Sequence, residues 1–541
     1  MSACGIKKSL ADRPDLSRYA ADVPERVQVN DSTFTLGVNS LTKNKYGLWE
    51  LYVSGNPLEL GKANGSLTRE LYYKQEKVFL EKVESLVPSA GQQRFLTNFL
   101  KWYNRKMYKH VPEEYKAELY GVSRYASDDF NTLATPYLRS LYLHGAHDIG
   151  HALQDLMLVG CTSFAVWDEK TEDGKLLVAR NFDFYAGDAF AEEKIIAFVQ
   201  PDSGHPFMSV TWGGFIGVVS GMNNQGLTVT INAGKSKIPL VAKTPISIVT
   251  REILQYASTI DEAIAIAKNR EVFVSESILV GSAKDQRAVV IEVSPSDFGV
   301  YALENNSQLV CANHFQSEAF ADDRRNMKTI EESHTAYRFD RMEELLASED
   351  KVNPTEAVAI LRNTDGLNGT PIGYGNEKAL NQLLAHHGIV FQPEDQKVWV
   401  SAHPYQMGAF VMYDLDEVFN TTATLPRIIS MANETETISA SPFLQTKAYR
   451  DYERYRSLET QLSAQIETET FSDPAIAEDV IDLNPNYWKA YYLSGRYYFE
   501  TAQFGKAAER FALAARKEIP SQDEVDLVQK YLRKAIRKAK Q

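Results

Sequence analysis

The sequence predicts an α+β fold, with two sheets carrying helices on their outer faces and helical segments at both ends. Three observations predict it. Residues 30–150 are mostly runs with apolar residues three and four apart. The texture changes at Cys161 into short β-rich runs, then two helical runs, then strands again. From about residue 440 the chain is helical and charged.

In order, "SLTRELYYKQEKVFLEKVESLV" and "QQRFLTNFLKWYNRKMYKHV" read as amphipathic helices. A further helical run, "TPYLRSLYLHGAHDIGHALQDLML", leads up to Cys161. "CTSFAVWDE", "KLLVARNFDF", "KIIAFVQP", "FMSVTWGG" and "LTVTINA" are strands separated by Gly, Asp and Asn turns. "PISIVTREILQYAS" and "TIDEAIAIAKNR" are helices. "ESILVGS", "RAVVIEVS", "FGVYALE" and "SQLVCANHF" return to strands. Near the end, Gly495, Tyr498, Ala507, Phe511 and Ala514 stand at offsets similar to a tetratricopeptide repeat, with Pro520 one position late. One repeat cannot bury its own apolar face, so it is expected to lean on "RDYERYRSLETQLSAQ" or on the main body, as a packing appendage rather than a partner-binding platform.

Composition excludes several classes. A hydrophobic content of 44% and a charged content of 24% are those of a globular protein. A net charge of −13 argues against nucleic acid as a partner. Three cysteines, Cys4, Cys161 and Cys311, cannot build a disulfide framework, and no zinc-type Cys spacing occurs. No run is apolar and long enough to span a membrane. The opening "MSACGIKKSL" is similar to the end of a bacterial lipoprotein signal without its apolar segment. It leaves two readings: a lipidated Cys4 with membrane association in the bacterial cell envelope, or a disordered tail. His144, His147 and His151 fall on one helical face, but no acidic or thiol ligand accompanies them in a zinc pattern, so no metal is expected.

The chemistry centres on "LVGCTSFAVW". A lone Cys in such a run is usually a small buried hydrophobe. If the Gly160–Cys161 bond is cut, however, Cys161 gains an α-amine with a pKa near ~8, and one residue supplies both nucleophile and base. Gly160 suits a strained scissile bond. "ARNFDF" puts Arg180 and Asp183 at a strand end, the first to lower the thiol pKa, the second to orient the amine. Asn232 and Asn313 end strands and can donate N–H groups to an oxyanion. Arg338 in "ESHTAYRFDRM" can point back into the site. Taken singly, these residues also read as a surface ion pair, two turn caps and a solvated arginine.

Together they resemble the cysteine N-terminal-nucleophile (Ntn) hydrolases. Cys-Thr-Ser followed by Arg-Asn-x-Asp is similar to the acid ceramidase and N-acylethanolamine acid amidase branch. "GMNNQGL", "ANHF" and "RFDR" resemble elements of the choloylglycine hydrolases and the isopenicillin N acyltransferase family. The resemblance spans residues 120–345. It implies an αββα four-layer sandwich, self-cleavage before Cys161, and hydrolysis of an amide through a Cys161 thioester without a cofactor. Arg180, Asp183, Asn232, Asn313 and Arg338 would support that reaction. The implied organisation is a tail over 1–29, a helical pro-segment over 30–160 that stays bound as an α-subunit, a catalytic β-subunit over 161–435, and a helical extension over 436–541. The expected substrate is a long-chain fatty amide. Bile-salt or penicillin amides, acyl transfer, and an inactive binding scaffold using the extension are the alternatives. An oligomer stays open.

Overall fold

The computed structural model describes all residues except 1–2, 20–23, 87–88, 132–133, 146–147, 149–159, 185–186, 236–240, 421–424 and 472. It contains two sheets. The larger runs in the order β1 (Val27–Asn30), β2 (Thr33–Leu36), β3 (Asn39–Lys43), β4 (Trp49–Gly55), β7 (Ile195–Pro201), β8 (Phe207–Thr211), β9 (Ser220–Asn223), β10 (Leu227–Ala233), β11 (Glu276–Ser282), β12 (Arg287–Val293) and β13 (Phe298–Tyr301). The smaller runs β14 (Gln308–Cys311), β5 (Thr162–Val166), β6 (Leu177–Phe182), β15 (His387–Gln392), β16 (Lys397–Ser401), β17 (Phe410–Asp414) and β18 (Asn433–Ile438). Among the described residues, neighbouring strands are antiparallel except for the parallel pair β4–β7.

The strands read as continuous apolar runs because both faces are buried. One face of each sheet meets the other: Tyr52, Phe198, Val210, Leu279 and Val290 of the larger sheet share a cluster with Ala165, Val178, Ile389, Val400 and Val411 of the smaller. The outer face of the larger sheet buries side chains of the helices Pro57–Leu67, Ile246–Tyr256 and Ile260–Lys268. The outer face of the smaller sheet is covered by Thr335–Ser348 and Pro354–Leu361. The result is the expected αββα sandwich. Local chemistry fixes the helix starts: Asn56 and Asn353 each cap their helix in a reciprocal box with a glutamate three residues on, and a proline follows each cap.

The segments expected at 1–29 and 30–160 differ from that reading. Ala3–Leu10 is a helix, with Ser9 Oγ 3.3 Å from Tyr142 Oη, and Val27–Gly55 contributes β1–β4 to the larger sheet. β4 joins these short strands to the sheet by pairing with β7, Trp49 opposite Ile195, a long-range contact that local periodicity cannot register. The boundary drawn at 435 likewise falls inside β18, which pairs with β17 through Ile438.

The C-terminal helices form their own apolar cluster. Trp488–Glu500 and Phe504–Ala514 make a hairpin in which Gly495 lies against the Phe511 ring. Leu383, Tyr405 and Met407 of the sandwich join this cluster, so the extension leans on the main body.

At the other end, Pro57–Leu67 packs backbone to backbone on Glu113–Ser123. A Cβ on Gly61 would fall 1.9 Å from the Glu118 carbonyl oxygen, whereas one on Gly505 would meet nothing within 4 Å. Gly61→Ala is therefore expected to cost about 1–3 kcal/mol, read as a lowered thermal unfolding midpoint, while Gly505→Ala leaves the midpoint unchanged or slightly raised.

Candidate active site

Cys161 stands immediately before β5 and is buried in the cluster on the larger sheet's outer face. Its Sγ lies 3.5 Å from Arg180 Nη2 and accepts a hydrogen bond from the Asp183 backbone N–H. Arg180 is on β6, in register with Ser163 of β5. Its guanidinium also donates to Val219 O and Ser220 Oγ, both at 2.6 Å, and to Ile231 O, and it sits 4.4 Å from the Phe182 ring centre. One arginine thus ties a strand of the smaller sheet to β9 and β10 of the larger.

Asp183 follows β6 directly. Its backbone oxygen accepts the Gly160 N–H at 3.3 Å. Its carboxyl is buried, and neither oxygen has a hydrogen-bond partner among the described residues. Burial pushes its pKa up to about 7 against the pull of Arg338 and Arg180.

Arg338, on the helix Thr335–Ser348, is fully buried. Its Nη1 donates to Gly160 O at 2.7 Å, Cys161 O at 2.8 Å and Thr162 Oγ1 at 2.5 Å. Its Nη2 donates to Asn313 Oδ1 at 2.7 Å, and its Nε to His334 Nδ1 at 3.1 Å. Desolvation lowers its pKa to about 10, still a cation at neutral pH. Asn313 spends one amide hydrogen on Ala233 O at 3.0 Å.

Two expectations change. Asn232 donates its amide hydrogens to Cys311 O (3.0 Å) and Ala312 O (3.2 Å), while its Oδ1 accepts from Ser163 Oγ at 2.9 Å. It fastens β10 to β5 and to the end of β14, and in this arrangement keeps no N–H for an oxyanion. Arg180 was expected to favour a thiolate. It does pull the Cys161 pKa down, but burial outweighs it and the thiol is raised. In the uncut chain the thiol is therefore neutral. Cys311, on β14, is also buried, and its thiol is pushed up much further.

Sequence reasoning missed Gln382. Its Nε2 lies 3.3 Å from Gly160 O and 3.3 Å from Glu377 O, and a Cβ on Gly160 would come 2.1 Å from that nitrogen. The one signal was Gly160 itself, since a glycine marks close approach without naming the visitor.

The remaining candidates separate from the site. His144 accepts the Ile216 N–H at Nε2 (2.9 Å) and donates from Nδ1 to Ser140 O (2.7 Å), and burial lowers its pKa to about 4. Both ring nitrogens are occupied without a metal. His147, His151 and the Cys4 side chain lie outside the described residues. Leu143, in the helical run ahead of Cys161, borders a cleft with Tyr72, Phe79, Phe184, Phe190 and Trp212, which holds about 40 Å³ of free space. The run 153–158 lies outside the described residues.

Residues 169–404 match the family of acyl-coenzyme A:6-aminopenicillanic acid acyl-transferase. Over that segment the chain is similar to the Ntn hydrolases. The matched segment holds Arg180, Asp183, Asn232, Asn313, Arg338 and Gln382, and begins eight residues after Cys161. An uncharacterized protein of Archaeoglobus fulgidus is 27% identical over 278 residues, which is 48% of this chain and 45% of that protein. Protein dcd1B of Dictyostelium discoideum is 24% identical over 263 residues, 45% of this chain and 50% of that protein. The chain thus spans about half the length of the curated relatives it matches. Among solved structures, the Caenorhabditis elegans N-acylethanolamine-hydrolyzing acid amidase ortholog is 20% identical, with a TM-score of 0.32 over 43% of this chain and 93% of its own. A variant of conjugated bile acid hydrolase from Clostridium perfringens is 12% identical, with a TM-score of 0.33 over 52% and 98%.

The Asp183 carboxyl has a folded pKa of about 7 against an ordinary value of 3.8. Its protonated form is the one the fold favours, so its contribution to stability is whole below pH 3.8 and lost as the pH rises through about 7. Asp183→Asn is expected to raise the unfolding midpoint at pH 8 by several degrees and leave it nearly unchanged at pH 4. Thermal unfolding of chains whose intact mass is full length checks this.

Proposed function

We propose that this chain is an amidohydrolase that activates itself by cutting the Gly160–Cys161 bond and then hydrolyses fatty amides through a Cys161 thioester. The observation that carries the reading is the Asp183 carboxyl. It is buried and unpartnered among the described residues, on the residue whose backbone holds both Gly160 N and Cys161 Sγ. Cutting the bond would leave the Cys161 α-amine beside it, and an ammonium there would supply the missing partner and draw the carboxyl pKa back down.

In the mature form the α-amine takes the thiol proton and the thiolate attacks the substrate carbonyl carbon. The amine then returns the proton to the leaving nitrogen, and water enters to release the acid. Arg180 steadies the thiolate. Asn313, with its second amide hydrogen unspent, and the Arg338 cation beside it face the developing oxyanion. Asn232 acts by position, holding the strand ends in register. The segment before Cys161 stays bound after the cut because β1–β4 are built into the larger sheet.

The Cys-Thr-Ser and Arg-Asn-x-Asp runs favour long-chain N-acyl amides, and the aromatic cleft beside Phe184 and Trp212 is the place for the acyl chain once its side chains part. Acyl transfer is the second reading, favoured by the family that residues 169–404 match. It uses the same thioester with an amine in place of water. Envelope location through a lipidated Cys4 belongs to the same proposal, on the lipoprotein-like run that ends at Cys4.

Cys161→Ala is expected to abolish both chain cleavage and hydrolysis, read by intact mass and amine release, while Cys311→Ala keeps most of both. Cleavage in the first variant would sink the assignment of the nucleophile. On a panel of N-acyl glycines and ethanolamides, kcat/KM should rise with chain length, each buried methylene contributing roughly 0.8 kcal/mol. A preference for taurocholate or penicillin V over every long-chain amide would move the chain to the bile-salt and penicillin branch. Acyl transfer to added 6-aminopenicillanic acid outpacing hydrolysis would favour the second reading.

A further inference from the structure

We infer that Gln382 is a catalytic residue of the self-cleavage step, and that the C-terminal helices serve to hold it on the scissile carbonyl. The inference rests on the reading that the chain cuts itself at Gly160–Cys161.

In that step the Cys161 Sγ attacks the Gly160 carbonyl carbon and the π electrons move onto the Gly160 oxygen. When the carbonyl re-forms, the bond to the Cys161 nitrogen breaks, and that nitrogen takes the proton the thiol gave up. A thioester joins Gly160 to Sγ, and one water hydrolyses it to the Gly160 carboxyl and the Cys161 thiol. The charge that develops on the Gly160 oxygen needs donors already in place. Arg338 Nη1 at 2.7 Å is one, but it is shared among three oxygens. Gln382 Nε2 at 3.3 Å is a second, neutral donor on the same oxygen. The Gln382 side chain is almost wholly buried, and its amide is oriented by the Glu377 carbonyl, so it is fixed in place rather than drifting in from solvent.

What fixes the 373–383 segment lies in the extension. Asn484 brackets Tyr374, accepting its N–H at 3.1 Å and donating to its carbonyl at 2.8 Å. Asn376 donates to Glu518 O at 2.9 Å, and Lys378 pairs with the Glu518 carboxylate at 2.7 Å. Gly373 lies so close to Tyr487 that a Cβ would fall 2.5 Å from its backbone. Leu383, the residue after Gln382, is buried in the extension's own apolar cluster. The extension thus grips the segment along its length, and Gln382 projects from it onto the bond to be cut.

The test compares maturation in the full chain for wild type, Gln382→Glu, Gln382→Ala and Asn484→Ala, following by mass the fragment that begins Cys-Thr-Ser. Gln382→Glu preserves size and removes the donor. Both Gln382 variants should mature about 10²-fold more slowly, a loss out of proportion to any change in the precursor's melting temperature and larger than any fall in hydrolysis per cut chain. Asn484→Ala should slow maturation in the same direction. Wild-type maturation rates in both Gln382 variants would overturn the inference. So would a slowing matched by a lowered melting temperature, or an equal fall in hydrolysis per cut chain. Wild type that never yields the fragment would instead overturn self-cleavage itself.

Discussion

The structure turns on two guanidinium cations, Arg180 and Arg338, buried at one end of the sandwich. A buried charge is tolerated only where acceptors surround it, and here the acceptors come from both sheets and the strand ends. Arg180 reaches from the smaller sheet to the carbonyls of Val219 and Ile231 in the larger. Arg338 reaches from an outer helix to Gly160, Cys161 and Asn313 at the ends of strands. Arg180 is satisfied only once the two sheets meet, and Arg338 only once its helix closes on the ends of the smaller sheet's strands. The bond between Gly160 and Cys161 therefore acquires its surroundings only as the last layers meet, and a half-formed sandwich offers no organised site.

The same burial keeps most groups around Cys161 uncharged. The Cys161 thiol is held neutral, the nearby histidines His334 and His387 are held well below their ordinary pKa by burial and by neighbouring arginines, and Asp183 titrates near neutrality. Among the described residues, the Asp183 carboxyl is the group beside Sγ whose pKa lies near neutrality. Burial keeps that carboxyl far more basic than an ordinary aspartate, so a cation brought beside it would find a partner.

Much of this was legible in the sequence, for identifiable reasons. Cys161, Arg180 and Asp183 lie on or beside two consecutive strands, so one antiparallel pairing brings them together, and Arg338 is marked by a run with a helical start. The strands β5–β8 and β10–β14 announce themselves through β-branched runs and Asn/Gly turns. β1–β4 do not, because their stability comes from a distant partner strand. Asn232 is found at the right place but with its amide already committed, since hydrogen-bond partners across two sheets leave no trace in sequence. Gln382 is invisible for the same reason: "NQLLAHH" carries no motif, and the glutamine gains meaning only from where the extension holds it.

That last point gives the C-terminal helices a place in the argument. A helical hairpin that cannot cover its own apolar face must lean on something, and this one leans on Leu383, Tyr405 and Met407. The contact stabilises both partners, but its polar part is directional. Asn484 and Glu518 each grip a specific position of the 373–383 segment, which pure burial would not require. Packing explains why the extension stays; the polar grip explains why the segment between it and Gly160 has one conformation. A donor that must stand within hydrogen-bond reach of one carbonyl oxygen needs that single conformation, since a displacement of about 1 Å is enough to forfeit most of its effect.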